Sequence, residues 1–267
     1  MSTTFSIITI SYNSEKTIER TIQSVLAQTH SDYEYIIIDG ESKDRTLEII
    51  NEYKPLFQDR LKLISESDNG IYDAMNKGIK AATGDIIGIV NSDDWLEKDA
   101  LETIYDCYKN NGCCLDALYC GWISFHYLNG DIQLMKTSHK MLEELSHRYE
   151  MGGIRHPAVF VPKQIYEKYG IFDDKMKVMA DTDLILRYYF AGVKFYYPEK
   201  VVSNMSDGGV SNKYLLKAYN DYRLILQKYS MNKFMFYRLL YSWRIKRIIK
   251  SLVPTKLLYV YRNFSKA

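Results

Sequence analysis

Two adjacent carboxylates, Asp93 and Asp94, follow the apolar run GDIIGIVN (84–91) after Ser92. Two hard oxygen donors at the mouth of a buried strand suit a divalent cation. Mg²⁺ or Mn²⁺ sites commonly combine one or two carboxylates with substrate phosphates. The competing reading is local: the pair caps and charges the first turn of a helix in LEKDALETIYD. Polar groups also end two other apolar runs. FSIITIS (5–11) contains Thr9 and Ser11 and leads into Tyr12 and Asn13, and YEYIIID (33–39) ends in Asp39-Gly40-Glu41-Ser42. Each group alone is also an ordinary turn or cap. Their coincidence on three strands marks one binding rim, because ligands of open parallel sheets sit beyond the carboxyl ends of the strands. No G-x-G-x-x-G follows the first strand and no G-x-x-x-x-G-K-[ST] occurs, which disfavours a dinucleotide and excludes a P-loop. A diphosphate ligand would therefore take its positive charge from a metal.

The rim needs a scaffold, and the periodicity supplies one. Short β-rich apolar runs at 5–11, 33–39, 61–65 and 84–91 read as strands buried on both faces. Between them, 13–28, 42–53 and 71–82 show helical spacing, with Ser14 placed to cap the first. Strand and helix alternate as in right-handed β-α-β units, so residues 1–95 predict an α/β half with a mostly parallel sheet flanked by helices. Asn129-Gly130 lies between two strand-like runs and predicts a hairpin. Residues 181–193, 214–230 and 233–252 predict further helices.

The 267 residues suit one sizeable domain plus a tail. The opening MSTTFSIITISYN lacks a basic region and a long apolar core, so no signal peptide is expected. No apolar stretch of about 18 residues predicts a membrane-spanning helix. Cys107, Cys113, Cys114 and Cys120 lack C-x-x-C spacing and read as free thiols of a reducing cytosol, with a zinc site as the second reading. The net charge of +2 is unevenly spread: no Asp or Glu follows Asp221, while residues 222–267 hold 11 Lys and Arg. This basic stretch is mixed with Phe, Tyr, Trp, Leu and Ile. Such a composition matches a helix lying on an anionic membrane surface. Packing on the chain's own body or on a second copy is the alternative, and nucleic acid is not expected as a partner.

SIITISYNSEKTIERTIQSVLAQ, YIIIDGESKDRT, SESDNGIYDAMNKGIKAATGDIIGIVNSDDWL and ADTDLILRYYFAGVKF together resemble family 2 glycosyltransferases of the GT-A fold. The DNGIYDAMNKGI block is similar to bacterial members that build capsule, exopolysaccharide or O-antigen. The resemblance spans roughly residues 4–210. It implies a glycosyltransferase domain over 1–212, divided into a nucleotide-sugar half (1–95) and an acceptor half (96–212), followed by a helical basic tail (213–267).

The resemblance also implies roles. Thr9, Ser11, Tyr12, Asn13 and Asp39 would contact the nucleoside, Asp68, Asn76 and Lys77 would line the donor site, and Asp93 and Asp94 would hold Mn²⁺ or Mg²⁺ against the diphosphate. Asp94 is favoured as the direct ligand, although Asn91 stands where many relatives carry Asp. Asp181 would be the catalytic base, with Ala180 in place of the usual neighbouring acid and Asp183 as competitor. Trp95, His156 and Asp183 would shape the acceptor side, and the loop SDGGVS (206–211) would approach the site. The expected reaction is an inverting transfer from a nucleotide-diphosphate sugar, with UDP favoured, to a glycan or lipid-linked acceptor. It would take place in the cytoplasm, peripherally on the inner face of the plasma membrane. A nucleotidyltransferase and a non-catalytic sugar-nucleotide binder are the competing classes.

Overall fold

A computed structural model describes residues 4–149, 154–207, 215–229 and 233–252. The elements run β1 (Phe5–Ser11), α1 (Ile18–Leu26), β2 (Tyr33–Asp39), α2 (Thr46–Tyr53), β3 (Leu61–Ser65), α3 (Ile71–Ala81), β4 (Ile86–Ile89) and β5 (Trp95–Leu96). They continue through α4 (Ala100–Asn110), β6 (Ala117–Cys120), β7 (Trp122–His126), β8 (Ile132–Met135), α5 (His139–Arg148), β9 (Val159–Pro162) and α6 (Lys163–Tyr169). The last are α7 (Ala180–Phe190), β10 (Lys194–Tyr196), β11 (Val201–Ser206), α8 (Leu215–Tyr229) and α9 (Lys233–Leu252).

Seven strands form the central sheet in the order β10-β6-β9-β4-β1-β2-β3. Only β9 runs against its neighbours β4 and β6; the other pairings are parallel. Side-chain alternation divides the strands between two cores. Ile8 and Ile10 of β1 join Met75 and Ile79 of α3 and Leu184 of α7, while Phe5 and Ile7 join Ile18 and Ile22 of α1 and Ile104 of α4. Helices thus cover both faces, which is why these strands read as continuous apolar runs rather than as alternating ones. A four-stranded sheet, β5-β11-β7-β8, stands beside the first. Its β7–β8 hairpin turns at Gly130, φ +88°, as the Asn-Gly signal predicts.

Several boundaries differ from the sequence expectation. α1 starts at Ile18, because residues 14–17 form a turn in which the Ser14 carbonyl accepts from the Thr17 and Ile18 amides, both at 3.0 Å. The Ser14 hydroxyl instead hydrogen-bonds Ser92 at 2.8 Å and ties β1 to the loop after β4. β5 intervenes between Asp93-Asp94 and α4, whose N-cap position is Asp99, so the acid pair does not cap a helix. Position 213 lies outside the described residues, and α8, within the expected tail, buries Ala218, Tyr222, Ile225 and Leu226 in the same core as Ile8. The two expected halves also share one sheet, because β9 lies between β4 and β6. All four cysteines are free, and among the described residues no three His, Cys, Asp or Glu converge as a metal cluster, so the zinc reading has no support.

Candidate active site

The parallel register aligns Ser11, Asp39 and Ser65 across the carboxyl ends of β1, β2 and β3. Asp39 accepts from the hydroxyls of Ser11 (3.1 Å), Ser42 (2.5 Å) and Ser65 (2.9 Å) and from the Ser42 amide (2.9 Å). Four donors fill the four lone-pair directions of a carboxylate. Asp39, expected to contact the ligand, is wholly buried and instead ties three strand ends together. Thr9 is likewise wholly buried and its hydroxyl accepts from Tyr35 at 3.0 Å, so it lies below the rim. Asn76 is also turned inward, exchanging two hydrogen bonds with the Phe172 backbone. Lys77 spans Glu66 (3.0 Å), the Ser67 carbonyl (2.6 Å) and Asp73 (3.6 Å), and so holds the loop before α3.

Tyr12, Asn13 and Asp68 remain at the surface of this rim. Tyr12 is 63% exposed. Asn13 adopts φ +48°, and its amide and side chain bond Ser42 and Lys43 across the gap between β1 and β2. A β-carbon at Gly40 would lie 2.5 Å from Asp68 Oδ2 and 3.4 Å from Tyr12 Cδ2, so both side chains close in on this glycine and a larger residue there would displace the Asp68 carboxylate. An exposed aromatic ring beside a carboxylate makes a shelf that can stack a planar base and accept from a hydroxyl.

The acid pair lies across the rim. Asp94 is buried, accepting from Asn91 Nδ2 at 3.0 Å and the Ser206 amide at 3.0 Å. Burial and the neighbouring Asp93 charge push its carboxyl up to about 7, while His156 and these hydrogen bonds pull it down. Asp93 is half-buried. Its carbonyl accepts from Arg20 Nη2 (2.8 Å) and the Ser206 hydroxyl (2.8 Å), and the Arg20 guanidinium lies 3.7 Å over Trp95. Trp95 also meets the His126 ring at 4.6 Å. Arg20 and Ser206 thus hold the pair; Ser206 opens the SDGGVS loop expected near the site, whereas nothing in the sequence context of Arg20 distinguishes it. Two adjacent carboxylates, Asp93 half-buried and Asp94 buried, are hard oxygen donors whose chemistry suits Mg²⁺ or Mn²⁺ with its remaining positions filled by substrate phosphates and water.

His156 bridges the acid pair to α7. Its Nε2 meets Asn91 Oδ1 at 3.3 Å and its Nδ1 faces Asp181 Oδ2 at 3.7 Å. Asn91, the departure from the usual Asp, uses both ends of its amide, donating to Asp94 and meeting His156. Asp181 retains 17% side-chain exposure, enough to meet a substrate hydroxyl. Asp183 does not reach the rim. It is wholly buried and accepts from Arg187 (2.8 Å), Lys228 (2.7 Å) and Tyr229 (3.0 Å), so its expected acceptor role is corrected to a clamp between α7 and α8.

The start of α7 is held by two residues that the sequence reading missed. Asp221 Oδ2, from α8, accepts from the amides of Lys177 (2.8 Å), Val178 (2.6 Å) and Met179 (3.1 Å). The Tyr72 phenol interacts with the backbone at Ala180 and Asp181, and burial and the Asp181 charge push it well up. The only sequence signal for Asp221 was its place as the last acid of the chain. Of the loop expected to approach the site, residues 208–211 lie outside the described residues. A separate groove of about 820 Å³, between α5, the end of α7, β10 and Met235, is walled mainly by aromatic and aliphatic side chains, with His139, His147 and Lys194 and no acid.

A sheet-end site of this kind has relatives. Residues 6–160 match the glycosyl transferase family 2 model. The chain is 30% identical over 213 residues, 78% of this chain and 79% of that protein, to a PGL/p-HBAD biosynthesis glycosyltransferase of Mycobacterium bovis (strain BCG / Pasteur 1173P2). It is 28% identical over 195 residues, 72% of this chain and 19% of that protein, to chondroitin synthase of Pasteurella multocida (strain Pm70). The solved structure of S. aureus TarS 1-349 in complex with UDP-GlcNAc superposes with a TM-score of 0.63 at 17% identity, covering 89% of this chain and 70% of that one. That likeness shows the GT-A fold. With the family model covering more than half of its length, this chain belongs to glycosyl transferase family 2.

Proposed function

We propose that the protein transfers a hexosyl or N-acetylhexosaminyl unit, with inversion, from a nucleotide-diphosphate sugar to a glycan acceptor. The acceptor is carried on a polyprenyl lipid and serves bacterial surface polysaccharide such as capsule or O-antigen. The observation that carries this reading is the Asp94–Asn91–His156–Asp181 chain, which sets a diphosphate-side acid pair and a partly exposed carboxylate on one rim.

Asp181 removes the proton of the acceptor hydroxyl, and the acceptor oxygen attacks the anomeric carbon. The bond from that carbon to the diphosphate oxygen breaks, and the nucleoside diphosphate leaves. One displacement inverts the centre. His156 holds Asp181 toward the rim, and the Tyr12–Asp68 shelf takes the nucleoside. Asp93 and Asp94 would hold Mg²⁺ or Mn²⁺, which when bound neutralises the charge developing on the diphosphate. Asp93, the more exposed of the two, is the better direct ligand, with Asp94 supporting it. A uridine donor is favoured because solved TarS structures contain UDP and UDP-GlcNAc. The lipid-linked acceptor places the protein peripherally on the inner face of the plasma membrane. Among the described residues no helix is long and apolar enough to cross it.

The test is nucleoside diphosphate release from UDP-, GDP- and dTDP-sugars with Mn²⁺ or Mg²⁺, with and without lipid extract. Release from one donor should disappear with a chelator and in both Asp94→Asn and Asp181→Asn. Donor binding that Asp181→Asn leaves intact, with no release by the parent under any of these conditions, would point to a non-catalytic binder.

A further inference from the structure

Between Lys233 and Ile245 α9 is apolar on two opposite faces, and among the described residues only one of them is covered. Leu240 and Trp243 are buried against the body, with the Trp243 ring stacked 5.4 Å from Tyr222 of α8. Phe236 and Leu239 are partly buried on that same side. On the opposite side Phe234 is 78% exposed, Tyr237 53%, Tyr241 56% and Ile245 56%. At about 100° per residue these four fall within roughly 80° of one another around the helix axis. Lys233, Arg238 and Arg244 are exposed on the same helix, which carries no acid.

A helix apolar on two opposite faces needs a partner on both, and a continuous exposed stripe marks a contact surface. We propose that this outer face of α9 lies in the interfacial region of an anionic membrane. Aromatic rings with polar tips and an Ile suit the headgroup boundary, and the flanking cations suit anionic lipid. A second copy is the poorer occupant, because it would bring a second set of cations (Lys233, Arg238 and Arg244) to a contact whose helix carries no acid to pair with them. The wider charge distribution agrees, since every charged residue after Asp221 is basic. The inference deepens the membrane contact of the proposed function and rests on that reading. α9 packs on α8, and α8 clamps α7 through Asp221 and Lys228, so the membrane face joins the helix that carries Asp181 through one intervening element.

The test is co-sedimentation of the full chain with phosphatidylcholine vesicles with and without phosphatidylglycerol. Binding should require the anionic lipid and weaken with added salt. Arg238→Glu with Arg244→Glu should bind about thirty-fold or more weakly, from about 1 kcal/mol per basic residue near an anionic surface. Phe234→Ser, Tyr241→Ser and Ile245→Ser together should also lose binding. Circular dichroism and donor-sugar binding, measured without vesicles, should match the parent in both variants. Parent-like vesicle binding by both variants would overturn the face while leaving membrane contact itself in place. No binding of the parent to anionic vesicles, or its sedimentation as a dimer that the Ser variant dissolves, would overturn the membrane as occupant. Neither failure touches the transfer reaction, which diphosphate release in free solution reports separately.

Discussion

Replacing Asp221 by Ala tests whether α8 positions α7, the helix that carries Asp181. Asp221 is 3% exposed and one of its oxygens takes three backbone amides, from Lys177, Val178 and Met179, at 2.6 to 3.1 Å. A hydrogen bond to a charged group contributes about 1.5–3 kcal/mol. Three bonds to one oxygen do not add fully, so about 3–5 kcal/mol is expected for Ala. Asp221→Asn keeps an acceptor of the same size and should cost about half of that. Domains of this kind have about 5–15 kcal/mol in total, so the Ala variant should show a large drop in urea midpoint at unchanged slope. The three freed amides precede the first turn of α7, where Asp181 sits, so turnover should fall while donor binding by titration calorimetry holds. A tail that merely trails from the body would give a different result: an Ala variant within about 0.5 kcal/mol of the parent, with parent turnover, would refute the clamp.

Two further outcomes follow from packing and charge. A β-carbon at Gly88 would sit 2.5 Å from Phe160 Cε1 and 2.8 Å from Cδ1 between β4 and β9, so Gly88→Ala should destabilise by about 1–3 kcal/mol in urea unfolding. Burial would raise the Asp183 carboxyl, but hydrogen bonds and charge from Lys228 and Arg187 outweigh it and hold the group below its ordinary value. A lowered native value means stability that is present above about pH 4, the ordinary carboxylate range, and is lost as the pH falls below it. Lys228→Met should lower stability at neutral pH and flatten this acid dependence, and parallel acid profiles for the two proteins would exclude the pair.

What the sequence made legible follows the length scale of each interaction. Strand and helix identity was readable because burial on both faces of a parallel sheet writes itself as unbroken apolar runs, and Asn129-Gly130 announced its turn locally. The rim was readable because β1, β2 and β4 each end in polar residues. Which of those residues face the ligand was not readable, because that depends on register across strands. The alignment of Ser11, Asp39 and Ser65 turns Asp39 into a buried tie, and Thr9 points at Tyr35 rather than at solvent. Asp183 was misplaced for a related reason: two residues along a helix from Asp181 is about 200° around its axis, the opposite side. The composition shift after Asp221 is real, and the helix that spans it packs into the body. α8 carries apolar residues into the core on one side and sends Asp221 and Lys228 to α7, and no local pattern distinguishes a helix that leaves the body from one that completes it. Where the site departs from the family pattern, at Asn91, the structure supplies a reason. An aspartate there would place a third carboxylate beside Asp94 and could not donate to it, whereas the amide donates to Asp94 at one end and meets His156 at the other.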